Sequence, residues 1–227
     1  MTLRFSLFSL AFLFLTPACG SKGGEAPSAP VVALGPSGAT TTDDLVVSIV
    51  TESTDPDGDD VTYVYKWLVN DVLRDDLSES TVPAVETAKG EDWTVLVTAS
   101  DGELDSTPAE SSVTILNTAP TVSLALENTA PLSTDDIVAV ATVEDVDGDE
   151  ADLTWTWTVD GAGTNEDDDT VPAASTAKGE EWEVSLVVSD GEADVSPDSI
   201  EVVVLNSAPT VTAVSIEPTE AYETSVL

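Results

Sequence analysis

Histidine is absent from the 227 residues and cysteine occurs once. Six lysines and arginines stand against 44 aspartates and glutamates, for a formal net charge of -38. Each shortage excludes something. Without histidine there is no Ser-His-Asp or Cys-His arrangement and no imidazole metal ligand. A lone Cys19 can neither close a disulfide within the chain nor build a thiolate cluster for zinc. Six basic residues make no patch able to grip phosphates, so nucleic acid is not expected as a partner. What is present argues for folding: 41% of residues are hydrophobic, more apolar area than an acidic disordered tail carries. A packed core under an acidic skin fits both facts, and such a skin attracts divalent cations.

Residues 1–19 read MTLRFSLFSLAFLFLTPAC, with Arg4 ahead of an apolar run of 11 residues from Phe5 to Leu15. A bilayer span needs about 20 apolar residues, so the run suits a signal-peptide core and export. Ala18 before Cys19 resembles the cleavage site of bacterial lipoprotein signals. That resemblance implies lipidation of Cys19, membrane attachment through the lipid, and an outer-membrane or cell-surface location. An ordinary secretory signal, leaving a free periplasmic or secreted protein, is the alternative. Gly20 to Ala29 (GSKGGEAPSA) reads as a flexible tether over residues 20–29.

Repetition is the dominant signal in the remainder. Pro30, Pro120 and Pro209 follow Ser-Ala, Thr-Ala and Ser-Ala and are spaced 90 and 89 residues. DPDGDD at 55–60 returns as DVDGDE at 145–150, and Trp67 as Trp157. KGEDW at 89–93 returns as KGEEW at 178–182, and SDGE at 100–103 as SDGE at 189–192. The spacing defines repeat 1 over residues 30–117 and repeat 2 over 118–206, with 207–227 aligning on the start of a third. One residue is lost between Trp157 and Val171, where the composition is that of a loop.

Periodicity supplies the class. Leu153, Trp155, Trp157 and Val159 alternate with threonines, the pattern of a strand with one buried face, and Tyr63, Tyr65, Trp67 and Val69 hold the same alternate positions in the first repeat. Trp93, Val95, Val97 and Ala99, matched by Trp182, Val184, Leu186 and Val188, form a second such strand. Val113 and Ile115, or Val202 and Val204, close the unit. Val47 and Ile49, like Val138 and Val140, mark an earlier strand. No helical spacing follows residue 19. The expectation is an all-β chain of tandem seven-stranded immunoglobulin-like sandwiches, with the tryptophans buried between sheets.

The order DxDGD, aromatic strand, KGExW, SDGE and NxAPT resembles bacterial PKD-type and cadherin-like repeats of the immunoglobulin fold. Such repeats imply surface adhesion of a protein or glycan, extension of an attached module from the cell, or stalks stiffened by calcium. Asp55, Asp57, Asp59 and Asp101 in repeat 1, and Asp145, Asp147, Asp149 and Asp190 in repeat 2, are the candidate metal ligands. The two loops that carry them are expected at one end of each sandwich, near the entering linker. Calcium takes six to eight oxygens, and alternating aspartates around a glycine supply several. Plain Asp-Gly turns are the alternative reading of the same residues. Carboxylates in exposed turns lack the desolvation that acid-base catalysis requires, so no catalytic residue is expected and the chain is expected not to be an enzyme. A carbohydrate-binding or positioning accessory to a larger secreted hydrolase is the second functional reading.

Overall fold

In the computed structural model the described residues are 24–215. The signal segment, Cys19 and the last twelve residues of the third repeat's start lie outside them. Two β-sandwiches follow one another along the chain. The first contains β1 (Val31–Gly35), β2 (Leu45–Thr51), β3 (Thr62–Val69), β4 (Val72–Arg74), β5 (Thr81–Val82), β6 (Asp92–Ser100) and β7 (Ala109–Thr114). These form a three-stranded sheet in the order β1-β2-β5 and a four-stranded sheet in the order β4-β3-β6-β7. All strand pairings within them are antiparallel.

The second sandwich repeats the plan with β8 (Thr121–Leu126), β9 (Ile137–Glu144), β10 (Asp152–Val159), β11 (Ala162–Gly163), β12 (Thr170–Val171), β13 (Glu181–Ser189) and β15 (Ile200–Val203). A further two-residue strand, β14 (Asp194–Val195), pairs with β13 where the first sandwich has only an isolated bridge between Ser100 and Asp105. The chain is therefore all-β with immunoglobulin-like topology, as the alternation of residues predicts. Among the described residues no helix is long and apolar enough to cross a membrane.

Each module closes its own core. Leu45, Trp67, Val82, Trp93, Val95, Val97 and Ile115 fill the first; Ile137, Trp157, Val171, Trp182, Val184, Val202 and Val204 fill the second. The indoles meet edge to face across neighbouring strands. Trp67 and Trp93 have ring centroids 6.0 Å apart at 70°, and Trp157 and Trp182 repeat this at 6.4 Å and 69°. Buried indole N–H groups need acceptors. Trp67 Nε1 donates to the Glu79 carbonyl at 2.9 Å, and Trp157 Nε1 to the Asp168 carbonyl at 2.8 Å. Trp155 is partly buried against the second core.

Two strands depart from expectation. In β10, Leu153, expected on the buried face, is 39% exposed. In β9 the buried positions are Ile137 and Ala139, while Val140 is 42% exposed and Val138 is intermediate. The expected pair, Val138 and Val140, lies one position away from Ile137 and Ala139, the residues that correspond to Leu45 and Val47. In a period-2 strand a shift of one position exchanges the faces.

Candidate functional site: an acidic joint between the modules

The repeated Lys-Gly-Glu-x-Trp segment is a turn that aims its lysine. Gly90 and Gly179 adopt φ of 80° and 91°, a region open to glycine at little cost. Their amides donate to the carbonyls of Ile115 and Val204, both at 2.8 Å. The following glutamate locks the turn from inside. Glu91 Oε2 accepts from the Ala88 amide at 2.8 Å and the Trp93 indole at 2.9 Å. Glu180 Oε2 does the same for Ala177 at 2.7 Å and Trp182 at 3.0 Å. The core tryptophan thus fixes the turn, and the turn holds Lys89 beside the linker that leaves the module.

The acidic loops are built by self-capping. In DVDGDE, Asp145 Oδ1 accepts from the amides of Asp147 at 2.8 Å and Asp149 at 3.2 Å. This folds the loop so that oxygens of Asp145, Asp147 and Asp149 lie within 4.8 Å of one another. In SDGE, Asp190 Oδ1 accepts from the amides of Glu192 at 2.7 Å and Ala193 at 2.6 Å, which directs the Glu192 side chain outward. The first module repeats both devices. Asp55 Oδ1 caps Asp57 and Asp59, at 2.8 and 3.1 Å, and Asp101 Oδ1 caps Glu103 and Leu104, each at 2.7 Å.

These elements meet where one module hands over to the next. Lys89 of the first module is paired with Asp149 of the second, with Glu192 at 2.9 Å and with Asn117 Oδ1 of the linker at 3.1 Å. Asn117 Nδ2 donates onward to Asp190 Oδ2 at 2.8 Å. Asp147 is gripped from both sides. The Thr41 hydroxyl donates to Oδ1 at 2.6 Å and the Thr118 amide to Oδ2 at 2.7 Å, while the two threonine hydroxyls lie 2.7 Å apart. Two carboxylates, Asp149 and Glu192, thus pair directly with one ammonium, Asp190 is linked to it through Asn117, and Asp145 and Asp147 adjoin Asp149. The electrostatics follow. Asp149 and then Glu192 hold the Lys89 ammonium well above its ordinary lysine value. Asn117, then the amides of Ala193 and Glu192, hold Asp190 below the usual carboxylate range.

The sequence-predicted aspartates are distributed unequally. Asp145, Asp147 and Asp149 are gathered, and Asp190 joins them through Asn117 and Lys89. Asp55, Asp57, Asp59 and Asp101 form no comparably tight group among the described residues. Their pole is covered by the chain entering the module: the Glu25 amide donates to Asp57 Oδ2 at 2.7 Å, the Ser28 amide to the Thr54 carbonyl at 3.0 Å, and Pro27 and Pro30 are buried. Backbone capping by Leu104 and then Glu103 lowers the Asp101 pKa. Lys89, Thr41, Asn117, Thr118 and Glu192 were not legible as site residues. One signal existed: two of only six basic residues, Lys89 and Lys178, occupy the same place in a repeated motif.

No family model matches the sequence, and no curated protein matches it. Solved structures of two- and three-domain β-sandwich proteins resemble it loosely. Two fibronectin type-III domains of chicken tenascin are 13% identical over 79% of this chain and 99% of that one, with a TM-score of 0.38. Three N-terminal domains of the bacteriophage RB49 outer capsid protein Hoc are 16% identical over 77% of this chain and 59% of that one, at 0.33. The Yersinia pseudotuberculosis adhesin InvE is 11% identical over 77% and 58%, at 0.26. The chain thus spans about three fifths of the Hoc segment and of InvE. At these scores the assignment to the immunoglobulin-like class rests on the strand order and the two cores.

Proposed function

We propose that this chain is a spacer region, the stalk of an exported surface protein, in which sandwich modules are held at a set angle by polar joints. The observation that carries this reading is where the repeated motifs are used. KGExW, DxDGD, SDGE and the NTAP linker all converge on one module-to-module contact. What the sequence repeats, beyond its core, is the means of joining one unit to the next. A pole given over to Asp147, Asp149 and Asp190 paired with a neighbouring module is suited to bearing geometry, not to chemistry on a substrate. Attachment by lipid at Cys19 and an adhesive role for a distal surface complete the proposal, in line with the PKD-type and cadherin-like resemblance.

Calcium belongs to the same proposal. Five carboxylates against one lysine leave excess negative charge at the joint, and like charges this close favour a bridging cation. The donor chemistry fits: Asp145 Oδ2 is buried and has no hydrogen-bond partner, and Asp55 Oδ2 repeats that condition in the first module. Asp145 with Asp147 and Asp149, and Asp55 with Asp59, would hold the ion as hard oxygen ligands. Calcium there would add stiffness to what Lys89 already holds. Titration calorimetry at millimolar calcium tests this, with heat and a raised melting temperature expected; no heat and no shift removes calcium from the account.

The carbohydrate-accessory alternative needs an aromatic platform. Trp67, Trp93, Trp157 and Trp182 are all buried in the two cores, which favours the spacer. Small-angle scattering tests the spacer itself: a fixed joint gives a profile fitted by one arrangement of the two modules, whereas a freely hinged pair requires a broad ensemble.

A further inference from the structure

The far pole of the second module repeats the surface with which the first module grips its neighbour. The Gly179 turn, locked by Glu180 as Gly90 is by Glu91, presents Lys178 where the first module presents Lys89. Asn206 follows the last core residue as Asn117 does. Ser133 and Ser207 hydroxyls lie 3.1 Å apart, standing for the Thr41 and Thr118 pair, with the Thr134 hydroxyl 3.0 Å from Ser207. The supporting backbone is the same: Leu205 donates to the Pro131 carbonyl at 2.7 Å as Leu116 does to Ala39 at 2.7 Å. In the first joint Lys89, Asn117, Thr41 and Thr118 each hold a carboxylate of the second module. In the second module Lys178 is exposed and makes no ion pair among the described residues, and Asn206 Nδ2 turns back to the Ser207 carbonyl at 3.0 Å.

We propose that Lys178, Asn206, Ser133 and Ser207 form a docking face for the acidic pole of another module of this kind, joined in line through Asn206-Ser207-Ala208-Pro209. The partner is defined by chemistry: an Asp-x-Asp-Gly-Asp loop to meet the hydroxyl pair and the lysine, and an Asp-Gly-Glu loop to meet Asn206 and the lysine. In-line joining is favoured over a second molecule for two reasons. A four-residue linker supplies a high effective concentration that free molecules lack. Two chains each carrying a net charge of -38 repel one another.

The inference rests on the reading that the Lys89 joint fixes the module angle, and the test separates the two. A copy of residues 121–206 is appended after Pro209, and Cys19 is replaced by serine. The second module closes its own core, so the appended copy has what it needs to fold, and its tryptophan fluorescence checks this. Spin-label pairs then report the distance distribution across each joint by double electron–electron resonance. Narrow distributions are expected at both joints. Lys178→Gln is expected to broaden only the second, Lys89→Gln only the first, and Lys178→Arg neither. A narrow first joint with a broad second one, or a narrow second one indifferent to Lys178→Gln, overturns the proposal while leaving the stalk reading intact. A broad first joint overturns the stalk reading and this inference with it. Concentration-dependent association of the unextended chain that Lys178→Gln abolishes would assign the face to a second copy and overturn the in-line form.

Discussion

At the scale of single residues, the tryptophans and lysines divide the labour. Trp157 is 1% exposed and its N–H is held by the Asp168 carbonyl. Replacing it with alanine opens a large cavity and orphans that carbonyl. Trp157→Ala is expected to destabilise the second module by about 3–5 kcal/mol in a denaturant titration. Lys89 contributes to orientation instead. It is partly solvent-exposed, so its pairings are screened by salt, and Lys89→Gln should leave both cores intact while freeing the joint. Protonation behaviour separates the two charge types. Lys89 is raised in the folded chain, so its contribution is complete below the ordinary value of 10.5 and is lost only as pH rises through the higher folded value. Asp76, held by Arg74, is lowered to about 2. Its contribution is therefore present above 3.8 and disappears as pH falls from there toward 2. Asp76→Asn is expected to flatten the acid limb of the stability-against-pH curve. The change should be small, because the pair is exposed.

At the scale of elements, the strands were legible and the partners of the loops were not. Alternation in Trp182 to Val188 and in Trp93 to Ala99 places every expected side chain in the core, because a half-buried strand writes its burial into the sequence at period two. β9 misled because Ile137, Val138 and Val140 are all apolar, so composition alone does not say which face is inward. The acidic loops were recognisable as turns, and their shared pole follows from sandwich topology. Their partners lie too far along the chain to read: Lys89 is 60 residues from Asp149 and 103 from Glu192, and Thr41 is 106 from Asp147. The hairpin turns are a separate test of the element scale. Asn70-Asp71 and Asp160-Gly161 both take positive φ, as tight two-residue hairpins require. Gly161 has open space around a notional Cβ, so the cost of Gly161→Ala is conformational. It is expected to be about 1–2 kcal/mol by thermal or chemical unfolding.

For the whole molecule, two sandwiches with separate cores are bridged by one polar joint. The net charge of -38 opposes close approach of copies, while at the joint local carboxylates are engaged by Lys89, Asn117, Thr41 and the Thr118 amide. Covalent linkage alone would leave the modules free to swing about Asn117 to Pro120. The central claim is that the Lys89-centred contact removes that freedom. Residual dipolar couplings measured on both modules in one weakly aligned sample test this most directly. The account predicts a single alignment tensor shared by residues of both modules, splitting into two in Lys89→Gln. Two tensors of different magnitude in the unaltered chain would contradict it.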